Sequence, residues 1–261
     1  MKSSDNQRYA YGKAQLVEVI CQLRFPTILS IETKEPADFQ EMIRDAFPRY
    51  LCQVEQLPAV NGVQQTVKNH SFLSEDGSYK LSLTKGFIAL STMRYTNWED
   101  FARALDEPLG QFIRLYRPAC FDRVGLRYVN AVSREALGLA ERRWNDLFQP
   151  PYLGILDEDG VAEESVTKCS VDVERRLDEH ANLKLHAGPG LVQRNVRVGN
   201  EIRQVQEKNV RFIFDQDVFS SGKVKIAAVA ETLDALHSHA DSIFSDAITT
   251  VLHDAMEPEL L

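Results

Sequence analysis

The chain has 261 residues, 44% of them hydrophobic and 26% charged, which allows one large core or two smaller ones. Its net charge of −8 is uneven, with a balance of +1 over residues 1–135 and −9 over residues 136–261. The lack of a dense basic run demotes nucleic acid as a partner. The lack of any run of about 18 apolar residues excludes a membrane-spanning helix.

Residues 1–13 are polar and read as a loose arm. From Leu16 to Phe25 apolar residues alternate with Glu18, Gln22 and Arg24, which predicts a half-buried strand. The same charges rule out a secretory signal, so a cytoplasmic location is expected. Pro36 to Tyr50 spaces Phe39, Ile43 and Phe47 four apart, as in a short amphipathic helix. Residues 64–93 read as three strands, with turns at Asp76-Gly77 and Lys85-Gly86. Asn97 is placed to cap a helix whose stripe is Trp98, Phe101, Leu105, Phe112 and Tyr116, with Pro108 expected to kink it.

A second cycle opens at Phe121–Val132, a long strand. Leu139–Phe148 reads as an amphipathic helix. Ser165–Leu177, Leu183–His186, Val192–Val198 and Val210–Phe219 read as strands, with Gly188-Pro189-Gly190 as a turn. A last helix is expected from Val229 to Met256, with Leu233, Leu236, Ala240, Ile243 and Phe244 on its inner face. The order implies an α+β fold: an antiparallel sheet with helices on one face, built from two pseudo-repeated halves at 14–118 and 119–257. The arrangement is analogous to TATA-binding-protein-like folds, an analogy that does not fix function.

Cys21, Cys52, Cys120 and Cys169 lie far apart with no CxxC pair, so they read as buried thiols in a reducing compartment. No phosphate loop, GxGxxG, HExxH or GxSxG motif is present. Neither a metal nor a cofactor is expected. His237 and His239 sit about 200° apart around a helix and cannot share a metal; a hydrogen bond from His237 to a strand is the expected role.

Four segments, LVEVICQLRF at 16–25, FDRVGLRYVN at 121–130, RFIFDQDVF at 211–219 and LHSHADSIFSDAIT at 236–249, together resemble a sporadically distributed family of bacterial proteins of about this length. GLRYVN and the terminal LH…F…IT pattern are its most specific pieces. The resemblance implies a cytosolic bacterial protein of accessory or mobile-element type, and it transfers no catalytic residue.

Within these segments Arg127 stands in an otherwise apolar strand, where an Arg needs a partner if buried. Asp215 and Asp217, two apart on a strand, share a face and are the expected partners; with Asp172 or Glu174 they form a candidate acidic cluster. The first-choice binding residues are therefore Arg127, Tyr128, Asn130, Asp215 and Asp217, with Asn130 expected to be placed like Arg127. The leading expectation is a non-enzymatic module that recognises a protein partner, or a second copy of itself, through a sheet face or strand edge. An antitoxin or phage-defence component fits that description. The rival is a small-ligand or nucleotide-handling enzyme using the Arg/Asp group. A weaker third reading stacks single-stranded nucleic acid on Tyr79, Phe87, Tyr95 and Tyr128.

Overall fold

The computed structural model describes residues 8–60, 63–198, 201–206 and 209–260. In chain order the elements are strand β1 (Tyr9–Tyr11), β2 (Leu16–Arg24), helices α1 (Leu29–Thr33) and α2 (Ala37–Ile43), β3 (Arg49–Val60), β4 (Val63–Leu73), β5 (Tyr79–Leu83), β6 (Phe87–Thr92), α3 (Trp98–Tyr116), β7 (Arg123–Val132), β8 (Val171–Arg176), β9 (Ala181–Gly190), β10 (Gln193–Val198), β11 (Glu201–Gln206), β12 (Arg211–Ser220), α4 (Val229–Ala247), α5 (Thr250–Ala255) and β13 (Pro258–Leu260). Nine strands make one antiparallel sheet in the order β3-β4-β5-β6-β2-β7-β12-β9-β8. The α+β class and the antiparallel sheet are as the sequence implies.

The register explains the core. Pairing carries one row of side chains across the sheet from Phe72 through Leu81, Leu90, Cys21, Leu126 and Val218 to Leu183, all buried. Side chains alternate along a strand, so each neighbouring position two residues away joins a parallel row on the same face. Helices cover that face. α3 buries Trp98, Phe101, Leu105, Leu109 and Phe112, while α4 lays Leu233, Leu236, Ala240 and Ile243 over β7 and β12. Phe39 of α2 meets Phe72 edge-on at 5.6 Å. Among the described residues no helix is long and apolar enough to cross a membrane.

Asn97 caps α3 as expected: its side chain accepts from the Asp100 amide at 2.8 Å. The helix continues past Pro108 and ends at Arg117, whose left-handed φ of 47° closes it. Four expectations need correction. Of the four cysteines read as buried only Cys21 is; Cys52 is exposed, and Cys120 and Cys169 are partly so. Leu139–Phe148 forms no α-helix; only Trp144–Asp146 makes a 3-10 turn, with Trp144 and Phe148 packed on Phe212. Burying two large aromatic rings sets this segment's path, and its apolar spacing does not demand a helix.

Gly188-Pro189-Gly190 is strand, not turn. β9 runs through it, and Pro189 pairs with Phe212 beyond the last residue that β8 covers, so its missing N–H disrupts no ladder. Gly188 is needed there, because a Cβ would lie 2.4 Å from the Cys169 carbonyl oxygen. The last helix is two. Ile248 is extended and bridges to Phe148, after which Thr249 caps α5 by accepting from the Leu252 amide.

Candidate functional site

The register row beside the one above runs Tyr79, Thr92, Val19, Tyr128, Gln216 and Leu185. Polar groups in a row that faces the helices must find partners or face a cavity. Thr92 bonds the Ser78 carbonyl and Tyr79 packs on Phe101, whereas Tyr128 and Gln216 face a cavity of about 540 Å³ between β7, β12, the start of α3, the middle of α4 and the N-terminal arm. Residues 9–13 of the arm are fastened by strand pairing rather than left loose, while residues 1–7 lie outside the described residues. β1 pairs with β13, the Gly12 and Lys13 amides donate to the carbonyls of Glu257 and Met256, and Lys13 forms an ion pair with Glu257 at 2.8 Å.

Tyr11, Tyr95, Trp98, Tyr128 and Phe244 give the cavity aromatic walls. At its centre His237 lies flat on Trp98, with ring centroids 4.7 Å apart and planes 13° apart. An arginine only donates, so the contact of Arg8 Nη2 with His237 Nε2 at 3.3 Å makes that nitrogen the acceptor. The proton then sits on Nδ1, which donates to the Tyr128 hydroxyl at 3.0 Å. The Tyr95 ring stands perpendicular to that of Tyr128 at 6.0 Å, and the two phenols act on each other electrostatically. This chain of contacts runs from the arm through α4 and β7 to the loop before α3. Arg8 is also held by Glu99 at 2.9 Å, and Trp98 Nε1 donates to Asp234 at 3.0 Å.

The electrostatics follow from burial. Desolvation, helped by the Arg8 charge, pushes the His237 pKa down to about 4, so the ring is neutral near pH 7. Burial raises Tyr128 well above the usual phenol range, and raises Tyr95 as well. It also raises Asp241, one helical turn beyond His237, although Arg8 opposes the shift.

Three polar side chains in the lining have hydrogen-bonding capacity left unused among the described residues. Asn130 is 5% exposed and its side chain makes no hydrogen bond among the described residues. Gln216 donates to the Ala240 carbonyl at 3.1 Å, but its buried Oε1 has no partner among the described residues. Asp241 makes no hydrogen bond or ion pair among the described residues, although Arg8 acts on it electrostatically. A ligand carrying donors, with an acceptor for the Asn130 amide N–H, would satisfy all three.

The sequence-predicted residues divide between the two faces of the sheet. Tyr128 and Asn130 line the cavity. Arg127, Asp215 and Asp217 lie on the face turned away from the helices, so Asn130 is not placed like Arg127: odd and even positions of one strand point to opposite sides. Arg127 pairs with Asp215 through Nε at 2.8 Å and Nη2 at 2.5 Å, and Arg123 pairs with Asp217 at 2.7 Å while lying over the Phe219 ring. The expected internal pair exists, but the Arg127 side chain is 46% exposed, and a pair that wet contributes at most about 1 kcal/mol. The acidic cluster does not form. Asp172 pairs with His186, Glu174 with Lys184, and each of Asp215 and Asp217 has its own arginine.

Of the aromatic candidates for stacking nucleic acid, Tyr95 and Tyr128 belong to the cavity and Tyr79 packs on Phe101. Arg8, Gln216, His237 and Asp241 were not among the first-choice residues. Gln216 carries a readable signal, since it is the one polar residue in the inward series Phe212, Phe214, Gln216, Val218. Arg8 carries none, because only the β1–β13 pairing brings it there.

Comparison of the chain with protein-family models and with curated proteins finds no match.

Proposed function

We propose that this protein is a binding protein whose ligand is a small planar molecule with a hydrogen-bonding edge, taken up in the cavity beneath the N-terminal arm. The observation that carries this reading is the unbonded Asn130 amide, buried among aromatic rings beside the free Gln216 oxygen and Asp241. Asn130 offers both a donor and an acceptor, while Gln216 and Asp241 accept. Aromatic walls suit the faces of a flat ring, and the cavity volume lies in the range of small-molecule sites. Heteroaromatic bases and aromatic amides have this chemistry.

The two most specific segments of the family resemblance both contribute to the cavity: Tyr128 and Asn130 from GLRYVN, and His237, Asp241 and Phe244 from the terminal segment. The bacterial, cytosolic and accessory setting rests on that resemblance. Titration calorimetry with adenine, guanine, cytosine, uracil and nicotinamide tests the assignment. At least one should bind 1:1, and Asn130→Leu should weaken it by at least about tenfold, because the hydrogen bonds of the edge are lost while the walls remain. Binding by none of the five, or binding unchanged in Asn130→Leu, counts against the reading.

A protein partner is the second reading, favoured by β3, one of the two edge strands of the sheet, where Leu51 and Val54 are both more than half exposed. Its free backbone edge suits strand addition. Val54→Lys should then abolish association, self or with a partner, in sedimentation while leaving cavity binding intact; association unchanged by the lysine speaks against this edge.

A further inference from the structure

Cys52 on β3 and His70 on β4 are cross-strand partners, so their side chains stand together on one face. Tyr50, two residues before Cys52, shares that face, and Glu35 reaches it from the connection between α1 and α2. The ligating atoms of Glu35, Cys52 and His70 lie within 4.8 Å of one another. The Tyr50 hydroxyl stands among them, 2.9 Å from His70 Nδ1 and 2.8 Å from Glu35 Oε2, with Cys52 near enough to act on it electrostatically.

The hydrogen bonding around His70 does not close. The ring is fully buried, and its Nε2 faces the Ile31 carbonyl without a well-formed bond. If Nε2 carries the proton, the Nδ1 lone pair and the Glu35 carboxylate compete for the single Tyr50 hydroxyl proton. If Nδ1 carries it, the Nε2 lone pair faces a carbonyl oxygen. A doubly protonated ring would satisfy every contact, but it would put a charge on a fully buried side chain. A cation on Nδ1 resolves the conflict. It leaves the Nε2 proton for the Ile31 carbonyl, the outer contact that metal-bound histidines make, and gives the carboxylate a counter-charge. A Cys-His-Glu nucleophilic triad does not fit, because it would need thiol and carboxylate on opposite ring nitrogens, whereas carboxylate and phenol both face Nδ1.

We propose that Glu35, Cys52 and His70 form a site for a thiophilic divalent cation, best fitted by zinc, with the fourth position open where the Tyr50 hydroxyl stands. Thiolate, imidazole and carboxylate are the donors zinc takes, and three protein ligands with one open position make a site that water can enter. Donors around tetrahedral zinc sit roughly 3.5 Å apart, so the group must close by about 1 Å. Glu35 and Cys52 are exposed and free to do so, once Glu35 releases Lys68 at 3.5 Å. The cation would tie the α1–α2 connection to the outer edge of the sheet.

Cobalt titration of the chelator-treated full chain, followed by absorption, tests the site. A saturable 1:1 thiolate-to-cobalt charge-transfer band, displaced by zinc, is expected. Cys52→Ser should remove the band and weaken zinc binding at least about tenfold, and Glu35→Gln should also weaken it. Tyr50→Phe should retain binding. All three positions are exposed, and circular dichroism confirms that the variants fold. Absence of a saturable band in the parent chain, persistence of the band in Cys52→Ser, or loss of binding in Tyr50→Phe overturns the assignment.

Discussion

Phe101→Ala is expected to lower the unfolding free energy by about 3–5 kcal/mol, the usual cost of removing a buried phenyl ring from a core that cannot collapse around the gap. Phe101 has no exposed surface, and its ring lies 6.4, 6.0 and 6.2 Å from those of Tyr79, Tyr95 and Trp98. These neighbours come from three places: β5, the loop before α3, and α3 itself. Movement of one is therefore resisted by the others, which keeps the void open. Tyr95 and Trp98 also wall the cavity, so the substitution should loosen the site as well as the core. Urea denaturation at neutral pH checks this, with exposed Arg103→Ala as the control, expected within about 0.5 kcal/mol. A loss below about 1 kcal/mol for Phe101→Ala would contradict the packing. Phe244, expected from sequence on the inner helix face, is only half-buried and lines the cavity edge-on to Tyr11 and Phe214. Its truncation should cost less.

The second large effect concerns His237. Its pKa is about 4 in the folded chain and near 6.5 when unfolded. Above about pH 6.5 both states hold a neutral ring, and its contribution to stability is fully present. As pH falls from 6.5 toward 4, the unfolded chain takes up a proton that the folded chain refuses, so stability is lost across that window. Each unit is worth about 1.4 kcal/mol, giving a loss of roughly 2–3 kcal/mol between pH 6.5 and 4.5. Charged groups around the ring modulate this: Arg8 deepens the shift, while Glu99 and Asp234 oppose it. Asp241, raised by burial, contributes in the opposite sense and gains stability on protonation. Comparison with His237→Gln isolates the histidine, since glutamine does not titrate. Denaturation midpoints should fall more steeply with acid for the parent chain than for the variant, and equal slopes would refute the buried neutral ring.

Much of the fold was legible because local patterns and tertiary needs agree. The alternation in 16–25 and 121–132 reflects strands with one covered face, and the α3 stripe with Asn97 before it gives a capped helix. Disagreement arose where one contact overrides the local pattern. Ile248 leaves a continuous apolar helix pattern to pair with Phe148, and Pro189 sits in a strand because β8 does not reach it on the side away from β12.

In the site, the face that each residue of β7 and β12 takes follows from its place in the chain, because side-chain direction alternates strictly with position. That parity puts Tyr128, Asn130 and Gln216 on one side and Arg127, Asp215 and Asp217 on the other. Which side holds a cavity is a matter of packing, since it depends on how α3, α4 and the arm lie over the sheet. The pairing of β1 with β13 brings Arg8 to His237 across 229 residues. The β3–β4 register likewise brings Cys52 to His70, with Glu35 added from another connection. Spacing along the chain carries no trace of such meetings, because they are set by strand order and helix packing rather than by any local period.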